Sequence, residues 1–120
     1  NNSAQRTLEF IVASTEKLAL QHVLNYPNPF SHATTFHFDH NRAGDDLEIR
    51  VQIFTVSGRL VRTLEATALG SGSHVAALTW DGRDEYQDQL ARGVYVYRVS
   101  VRSPRDGSTT SKFEKLVLLN

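Results

Sequence analysis

Four carboxylates follow the single tryptophan of this 120-residue chain within one short polar stretch: Asp81, Asp84, Glu85 and Asp88. Loop carboxylates bind Ca²⁺ in many proteins, but this spacing differs from the EF-hand, which needs regularly placed oxygen ligands and a distal glutamate. Aspartate side chains also accept hydrogen bonds from backbone N–H groups in turns. The sequence therefore favours turn capping over calcium binding here.

A second set of candidate metal ligands, His37, Asp39 and His40, lies within four residues. Successive side chains of a strand point to opposite faces, so these three would meet a zinc ion only if both faces converged. We therefore expect structural or surface histidines. The stretches 57–58 and 70–72 contain serine and glycine but lack the lysine and the strand-to-helix context of a phosphate-binding loop.

The composition excludes several function classes. With no cysteine, the chain offers no disulfide framework, thiolate metal site or cysteine-peptidase nucleophile, and we predict no cofactor and no catalysis. Lys+Arg and Asp+Glu both number 13, so no net field attracts nucleic acid. No apolar run approaches about 18 residues and no signal-peptide pattern opens the chain. Because Asn1-Asn2-Ser3 is not a natural translation start, we expect a fragment of a longer protein.

Residues 91–101 form the longest stretch with the composition of a central strand. Tyr95 and Tyr97 share one face with two valines, while Val94 and Val96 point the other way, which predicts a strand between two layers. An exposed tyrosine face would suit carbohydrate stacking, but core packing is the stronger prediction. Gly93, just before the run, permits a tight bend.

Shorter alternating stretches surround this strand. Residues 47–65 predict a hairpin with a bulge, because Gly58 stands late in its turn. Pro27 and Pro29 exclude a central strand or helix interior and predict an ordered corner anchored by Tyr26 and Phe30. The other predicted strands are 7–13, 18–24 (with a short helix at 16–24 as the alternative), 34–40, 74–80 and 109–119. Together they predict an all-β fold, an immunoglobulin-like antiparallel β-sandwich of about seven strands.

Five motifs occur in a characteristic order. They are Tyr-Pro-Asn-Pro-Phe at 26–30, the hairpin at 51–64, Trp-Asp-Gly-Arg-Asp at 80–84, Gly-Val-Tyr-Val-Tyr-Arg at 93–98 and Lys-Leu-Val-Leu-Leu at 115–119. In this order they resemble the C-terminal sorting domain of type IX secretion cargo, which is similar to the immunoglobulin-like domain of flagellar hook-capping proteins. The residues that carry the resemblance are Pro27, Asn28, Pro29, Gly58, Trp80, Asp81, Gly82, Gly93 and Tyr95.

The resemblance implies a domain at residues 23–120 that carries an attached protein to the surface of a Gram-negative cell. Its implied partners are a PorV-like outer-membrane shuttle barrel and the secretion machinery. The type IX sortase, a gingipain-like cysteine peptidase, retains such a domain. The resemblance suggests that this chain is that domain, although the motifs themselves do not separate cargo from sortase. Residues 1–22 are then a linker or a leading strand from a preceding domain. Asn120 departs from the basic residue with which cargo domains often finish.

The last strand suggests a docking mechanism of its own. A strand at the end of the chain has no following connection to cover it, so its outer flank is available for strand addition by a partner. The same pattern predicts equally that Leu116 and Leu118 pack into the core. Core packing of these leucines and partner docking at the outer flank are compatible with each other. A spacer module and a small glycan-binding sandwich are the alternative functions. The predicted partner-binding residues are Lys115, Leu116, Val117, Leu118 and Leu119.

Overall fold

The computed structural model describes residues 17–70 and 72–119. Within these ranges the chain forms seven strands and no helix: β1 (Leu20–Tyr26), β2 (Thr34–His40), β3 (Leu47–Thr55), β4 (Leu60–Ala68), β5 (His74–Trp80), β6 (Gly93–Arg102) and β7 (Thr109–Leu118). They build two antiparallel sheets, in the orders β1-β2-β5 and β4-β3-β6-β7. The predicted immunoglobulin-like β-sandwich is confirmed, while the strand predicted at 7–13 lies outside the described residues.

The core lies between the two sheets because strict alternation gives each sheet one apolar face. In β3 the residues at 47, 49, 51 and 53 are all buried, and their neighbours in the sequence are exposed or half-buried. In β6 the buried residues are those at 95, 97, 99 and 101. The Phe36 ring of β2 meets the Tyr97 ring of β6 edge-on, with 4.8 Å between centroids, so aromatic contact joins the sheets.

The strand β6 occupies the interior position that its composition predicts, since it pairs with β3 on one side and β7 on the other. The face of β6 that points away from the core differs from the prediction, which placed this strand between two layers. Val94 is 47% exposed and Val96 is half-buried, so within residues 17–70 and 72–119 no second layer covers that face. Valine favours strands even on a partly solvated sheet surface, so Val94 and Val96 do not require a core on that side.

In β1 the predicted alternation of residues 18–24 fails because of a bulge. The register of β1 with β2 shifts between Gln21 and Leu24, and His22 adopts a φ of 54°. The extra residue changes the face of the sheet on which the following side chains lie. Leu18 and Leu20 are therefore buried, whereas His22 and Leu24 are exposed.

The hairpin of β3 and β4 is confirmed, together with its bulge, because the register shifts between Ile53 and Phe54. Gly58 has a φ of 96° and its N–H donates to the Thr55 carbonyl at 2.9 Å. A positive φ at this point of a tight turn favours glycine. The second strand runs to Ala68, three residues beyond the predicted hairpin.

A buried arginine joins two loops at one end of the sandwich. Arg42, after β2, donates through Nη2 to Asp106 Oδ2 at 3.0 Å and to Ser108 Oγ at 3.2 Å. It also lies 3.5 Å from Asp45. Because a buried guanidinium requires compensating charge, the two loops are held together electrostatically.

Within the described residues, no helix long and apolar enough to cross a membrane is present.

Candidate functional site

The outer flank of β7 is occupied at its C-terminal end by the segment at residues 28–30. Phe30 N donates to Val117 O at 3.1 Å, and Leu119 N donates to Phe30 O at 2.7 Å. These two bonds form a short parallel bridge between Phe30 and Leu118. We call this arrangement, residues 28–30 against the outer flank of residues 115–119, the C-terminal clamp.

Asn28 extends the C-terminal clamp with its side-chain amide. Val117 N donates to Asn28 Oδ1 at 3.0 Å, while Asn28 Nδ2 donates to the carbonyl of Lys115 at 3.4 Å. The amide thus imitates the backbone of a neighbouring strand. A second contact fixes its orientation, because Asn28 Nδ2 also donates to Oδ1 of the buried Asn25 at 3.2 Å.

The two prolines shape the segment that carries Asn28. The peptide bonds Tyr26-Pro27 and Asn28-Pro29 are both cis. The carbonyl of Pro27 accepts a hydrogen bond from the Thr34 hydroxyl at 2.8 Å. Of the two predicted aromatic anchors, Phe30 is buried but Tyr26 is 70% exposed, so half of that prediction is wrong. Tyr26 lies before the corner, where its strand leaves the core.

An aromatic cluster lies beneath the C-terminal clamp. The Phe30 and Trp80 ring centroids are 5.7 Å apart, and Trp80 meets Tyr95 edge-on at 6.1 Å. Trp80 is fully buried, and its Nε1 donates to the Arg83 carbonyl at 2.9 Å. The Tyr95 hydroxyl donates to the Ala91 carbonyl at 2.6 Å, and burial raises its pKa. The Trp80 indole N–H and the Tyr95 hydroxyl thus both have hydrogen-bond acceptors inside the core.

Gly82 completes the cluster at a point where a side chain would press on Leu118. A Cβ at this position would lie 3.1 Å from Leu118 Cδ1. Asp81 holds the turn by accepting from Arg83 N at 3.1 Å, and Leu90 N donates to the Gly82 carbonyl at 3.1 Å. The turn after Trp80 therefore packs closely against Leu118, the last core side chain of β7.

The motif residues quoted from the sequence converge on this end of the sandwich. In the ladder of β6 and β7, Gly93 pairs with Leu118 and Tyr95 pairs with Leu116. Thr55, which begins the turn containing Gly58, pairs with Tyr95 on the other side. The structure thus brings together the five motifs around the C-terminal half of β7.

The predicted partner-binding residues divide into two sets. Leu116 and Leu118 are fully buried, which agrees with their core prediction. Lys115 and Leu119 are exposed and Val117 is half-buried. The flank predicted to be open is already occupied by the C-terminal clamp, which bonds the backbone of residues 115, 117 and 119. Strand addition at these residues would have to displace the clamp, so that mechanism is corrected, while their partner-binding role stays a prediction.

The open part of the edge lies earlier in β7. β7 ends the sheet order, and within the described residues no backbone group is bonded to the outer flank of residues 109–114. Alternation from Val117 places the N–H and C=O of residues 109, 111 and 113 on this outer flank. Phe113 is 60% exposed here, with the Arg98 guanidinium 5.8 Å from its ring centroid.

The carboxylates after Trp80 cap turns, as the sequence favours. Asp84 Oδ1 accepts from the N–H groups of Tyr86 and Asp88, at 2.9 and 3.0 Å. Glu85 Oε1 reaches across to β4 and accepts from Thr63 N at 2.7 Å. Across the described residues, no group of three or more His, Asp or Glu side chains is placed to hold a metal ion.

Alternation in β2 separates the candidate ligands onto two faces, as the sequence predicts. His40 is buried, with its Nε2 2.6 Å from the Gly72 carbonyl, while His37 and Asp39 share the outer face of the three-stranded sheet. Sequence reasoning missed the two residues that join them there, His22 and His74. Both contact the Asp39 carboxylate, at 2.8 and 2.7 Å. Tyr95 and Tyr97 are buried, so neither forms a carbohydrate-stacking surface.

Comparisons with known proteins agree with this architecture. The family model described as the FlgD Ig-like domain matches residues 28–105. Among solved structures, the chain is similar to dimeric latent PorU from Porphyromonas gingivalis, with 31% identity and a TM-score of 0.72. That alignment covers 85% of this chain and 9% of the PorU chain.

Two more distant structures show the fold alone. FlgD from Xanthomonas campestris aligns at 16% identity and a TM-score of 0.53, over 92% of this chain and 75% of that chain. β-Glucuronidase from Parabacteroides merdae aligns at 10% identity and a TM-score of 0.60, over 85% of this chain and 13% of that chain. A search of curated proteins found no match. Because the family model spans well over half of the chain, the chain belongs to the FlgD Ig-like domain family.

Proposed function

We propose that the chain is a non-catalytic sorting and docking domain of the type IX secretion system. It directs an attached protein to the surface of a Gram-negative cell and docks on outer-membrane machinery that includes a PorV-like shuttle barrel. The observation that carries this proposal is the 31% identity to a segment of PorU, with a TM-score of 0.72 over 85% of the chain. The same likeness favours the retained domain of a sortase over that of a cargo protein.

The edge geometry supports a specific mode of docking. The C-terminal clamp covers residues 115–119, so a partner strand adds at residues 109–114, where the outer backbone groups are unpaired among the described residues. The exposed Phe113 lies beside this flank and offers apolar contact area. Main-chain bonds supply affinity in such an addition, and side chains like Phe113 supply selectivity.

Export of a passenger tests the proposal. The whole chain, fused after a passenger protein, should bring that passenger to the surface of a cell with type IX machinery. Residues before 23 are kept because the buried Leu18 and Leu20 belong to the core. A passenger that stays inside the cell would contradict the sorting role and leave the alternative of a spacer module.

A proline at Ser111 tests the docking mode. The Ser111 N–H lies on the outer flank, so Ser111→Pro removes no bond to β6 but blocks an added strand. Ser111→Ala is the matched control and should export normally. We expect Ser111→Pro to fold, by its thermal unfolding, and to lose surface delivery. Normal delivery of a folded Ser111→Pro protein would contradict strand addition while leaving the sorting role intact.

A further inference from the structure

The outer face of the three-stranded sheet carries a continuous row of polar side chains. His22 Nδ1 lies 2.8 Å from Asp39 Oδ2, and His74 Nδ1 lies 2.7 Å from Asp39 Oδ1. His74 Nε2 in turn lies 3.1 Å from His37 Nδ1. The row consists of His22, Asp39, His74 and His37, and it shares no residue with the C-terminal clamp.

Three strands place this row. Alternation in β2 puts His37 and Asp39 on the outer face. The register of β2 with β5 sets Asp39 directly opposite His74, and the bulge in β1 turns His22 toward the same carboxylate. The side chains of His22 and His74 are 73% and 57% exposed, so the row is open to ions in solution.

The nitrogen spacing between His37 and His74 suits a shared metal ion. Two imidazole nitrogens bound at the usual Zn–N distance of about 2.0–2.1 Å would be separated by about 2.9 Å at a right angle and about 3.3 Å at a tetrahedral angle. The observed separation of His37 Nδ1 and His74 Nε2 is 3.1 Å. For both nitrogens to bind one ion, His37 would carry its proton on Nε2 and leave Nδ1 free as a ligand.

Asp39 supplies the support that metal-binding histidines commonly have. A histidine that binds a metal through Nε2 usually donates its Nδ1–H to a carboxylate, which fixes the tautomer and the ring orientation. His74 has this arrangement with Asp39.

We propose that His37 Nδ1 and His74 Nε2 form a surface chelate for a divalent transition-metal ion, with Asp39 orienting His74. Imidazole ligands suit Zn²⁺, Cu²⁺ and Ni²⁺ rather than Ca²⁺ or Mg²⁺. Water fills the remaining positions, because a third His, Asp or Glu ligand does not converge on the pair among the described residues. This site is independent of the proposed sorting function.

Calorimetric titration of the whole chain with Zn²⁺ tests the proposal. His37→Gln and His74→Gln should each weaken binding at least about 10-fold, and Asp39→Asn about 10-fold through loss of the orienting carboxylate. His32→Gln is the matched control, because His32 is exposed and lies in the turn before β2, outside the row. It should bind Zn²⁺ like the original chain.

NMR of the histidine rings gives a second measurement. Zn²⁺ should shift the ring-nitrogen resonances of His37 and His74 but not those of His32. Two results would overturn the proposal: no saturable Zn²⁺ binding by the original chain, or unchanged binding by the folded double variant His37→Gln/His74→Gln. Since all these side chains lie on an open sheet face, circular dichroism should show that each variant keeps the fold.

Discussion

The side-chain oxygen of Asn28 accepts the backbone N–H of Val117 at 3.0 Å, although 89 positions separate the two residues. One asparagine thereby takes the place of a neighbouring strand at the end of a sheet. It covers a backbone group that would otherwise be an unpaired edge donor. The segment that resembles a sorting motif is thus also a structural part that holds the final strand.

Replacing Asn28 with alanine should loosen this end of β7. The change removes the acceptor for Val117 N and the donor to Lys115 O, so we expect the free energy of unfolding to fall by about 1–2 kcal/mol. Amide hydrogen exchange at Val117 should accelerate more than global unfolding explains. Asn41→Ala is the control, because Asn41 bridges Ala19 N and Lys17 O in a similar way before β1. Equal local exchange at Val117 in both variants would contradict the role of Asn28.

Gly82→Ala should destabilise the domain by more than Gly107→Ala. The two glycines have nearly equal φ angles, 79° and 77°, so both substitutions carry a similar backbone penalty of about 1 kcal/mol. Only at Gly82 would the new Cβ press on Leu118, at 3.1 Å. We expect an additional cost of about 1–3 kcal/mol at that position, measured by urea unfolding. Equal losses would show that the contact with Leu118 is easily relaxed.

The tyrosines of β6 should respond in opposite ways to loss of their hydroxyl groups. The Tyr95 hydroxyl donates to Ala91 O, so Tyr95→Phe should cost about 0.5–1.5 kcal/mol. The Tyr97 hydroxyl is buried, burial raises its pKa, and within the described residues it has no hydrogen-bond partner. Tyr97→Phe should therefore leave the free energy of unfolding unchanged or raise it. A loss for Tyr97→Phe as large as that for Tyr95→Phe would contradict this.

Acid should weaken the loop junction around Arg42. The backbone N–H of Ser108 and the Arg42 guanidinium hold the pKa of Asp106 well below its ordinary value of 3.8. A carboxyl whose pKa is lowered by folding contributes stability above its unfolded pKa and loses it as the pH falls toward the folded pKa. Asp106→Asn should therefore be less stable than the original chain at neutral pH, and this difference in stability should begin to shrink as the pH falls below about 4. Thermal unfolding across acidic pH measures this, and a constant gap would contradict it.

The sequence predicts well wherever one strand's own alternation decides the outcome. The bounds of β2 and β5 match the prediction because each begins and ends at a turn or a change in polarity. The hairpin at Gly58 also follows from local turn chemistry. A bulge is harder to predict, because the residue inserted in β1 has no signature in the composition. It places His22 and Leu24 on the exposed face instead of the predicted buried one.

Contacts between distant residues set the limit of prediction for the candidate site. Leu116 and Leu118 follow from the apolar pattern of β7, but the cover over Val117 depends on how the corner at Asn28 folds back onto another sheet. The row of histidines has the same origin. His37 and Asp39 share a face by alternation, whereas His74 joins them only through the register of β5. Neither register nor corner geometry can be read from one strand alone.

The closing strand also determines when the domain becomes complete. Its two buried leucines and its ladder to β6 depend on residues 109–118, so a chain that stops before them lacks part of its interior. Such distant pairings slow folding, since the intervening loop must lose entropy before any contact repays it. Without residues 109–118, the remaining strands are therefore expected to stay incompletely folded, with the inner faces of β6 and the Trp80 cluster lacking their leucine partners.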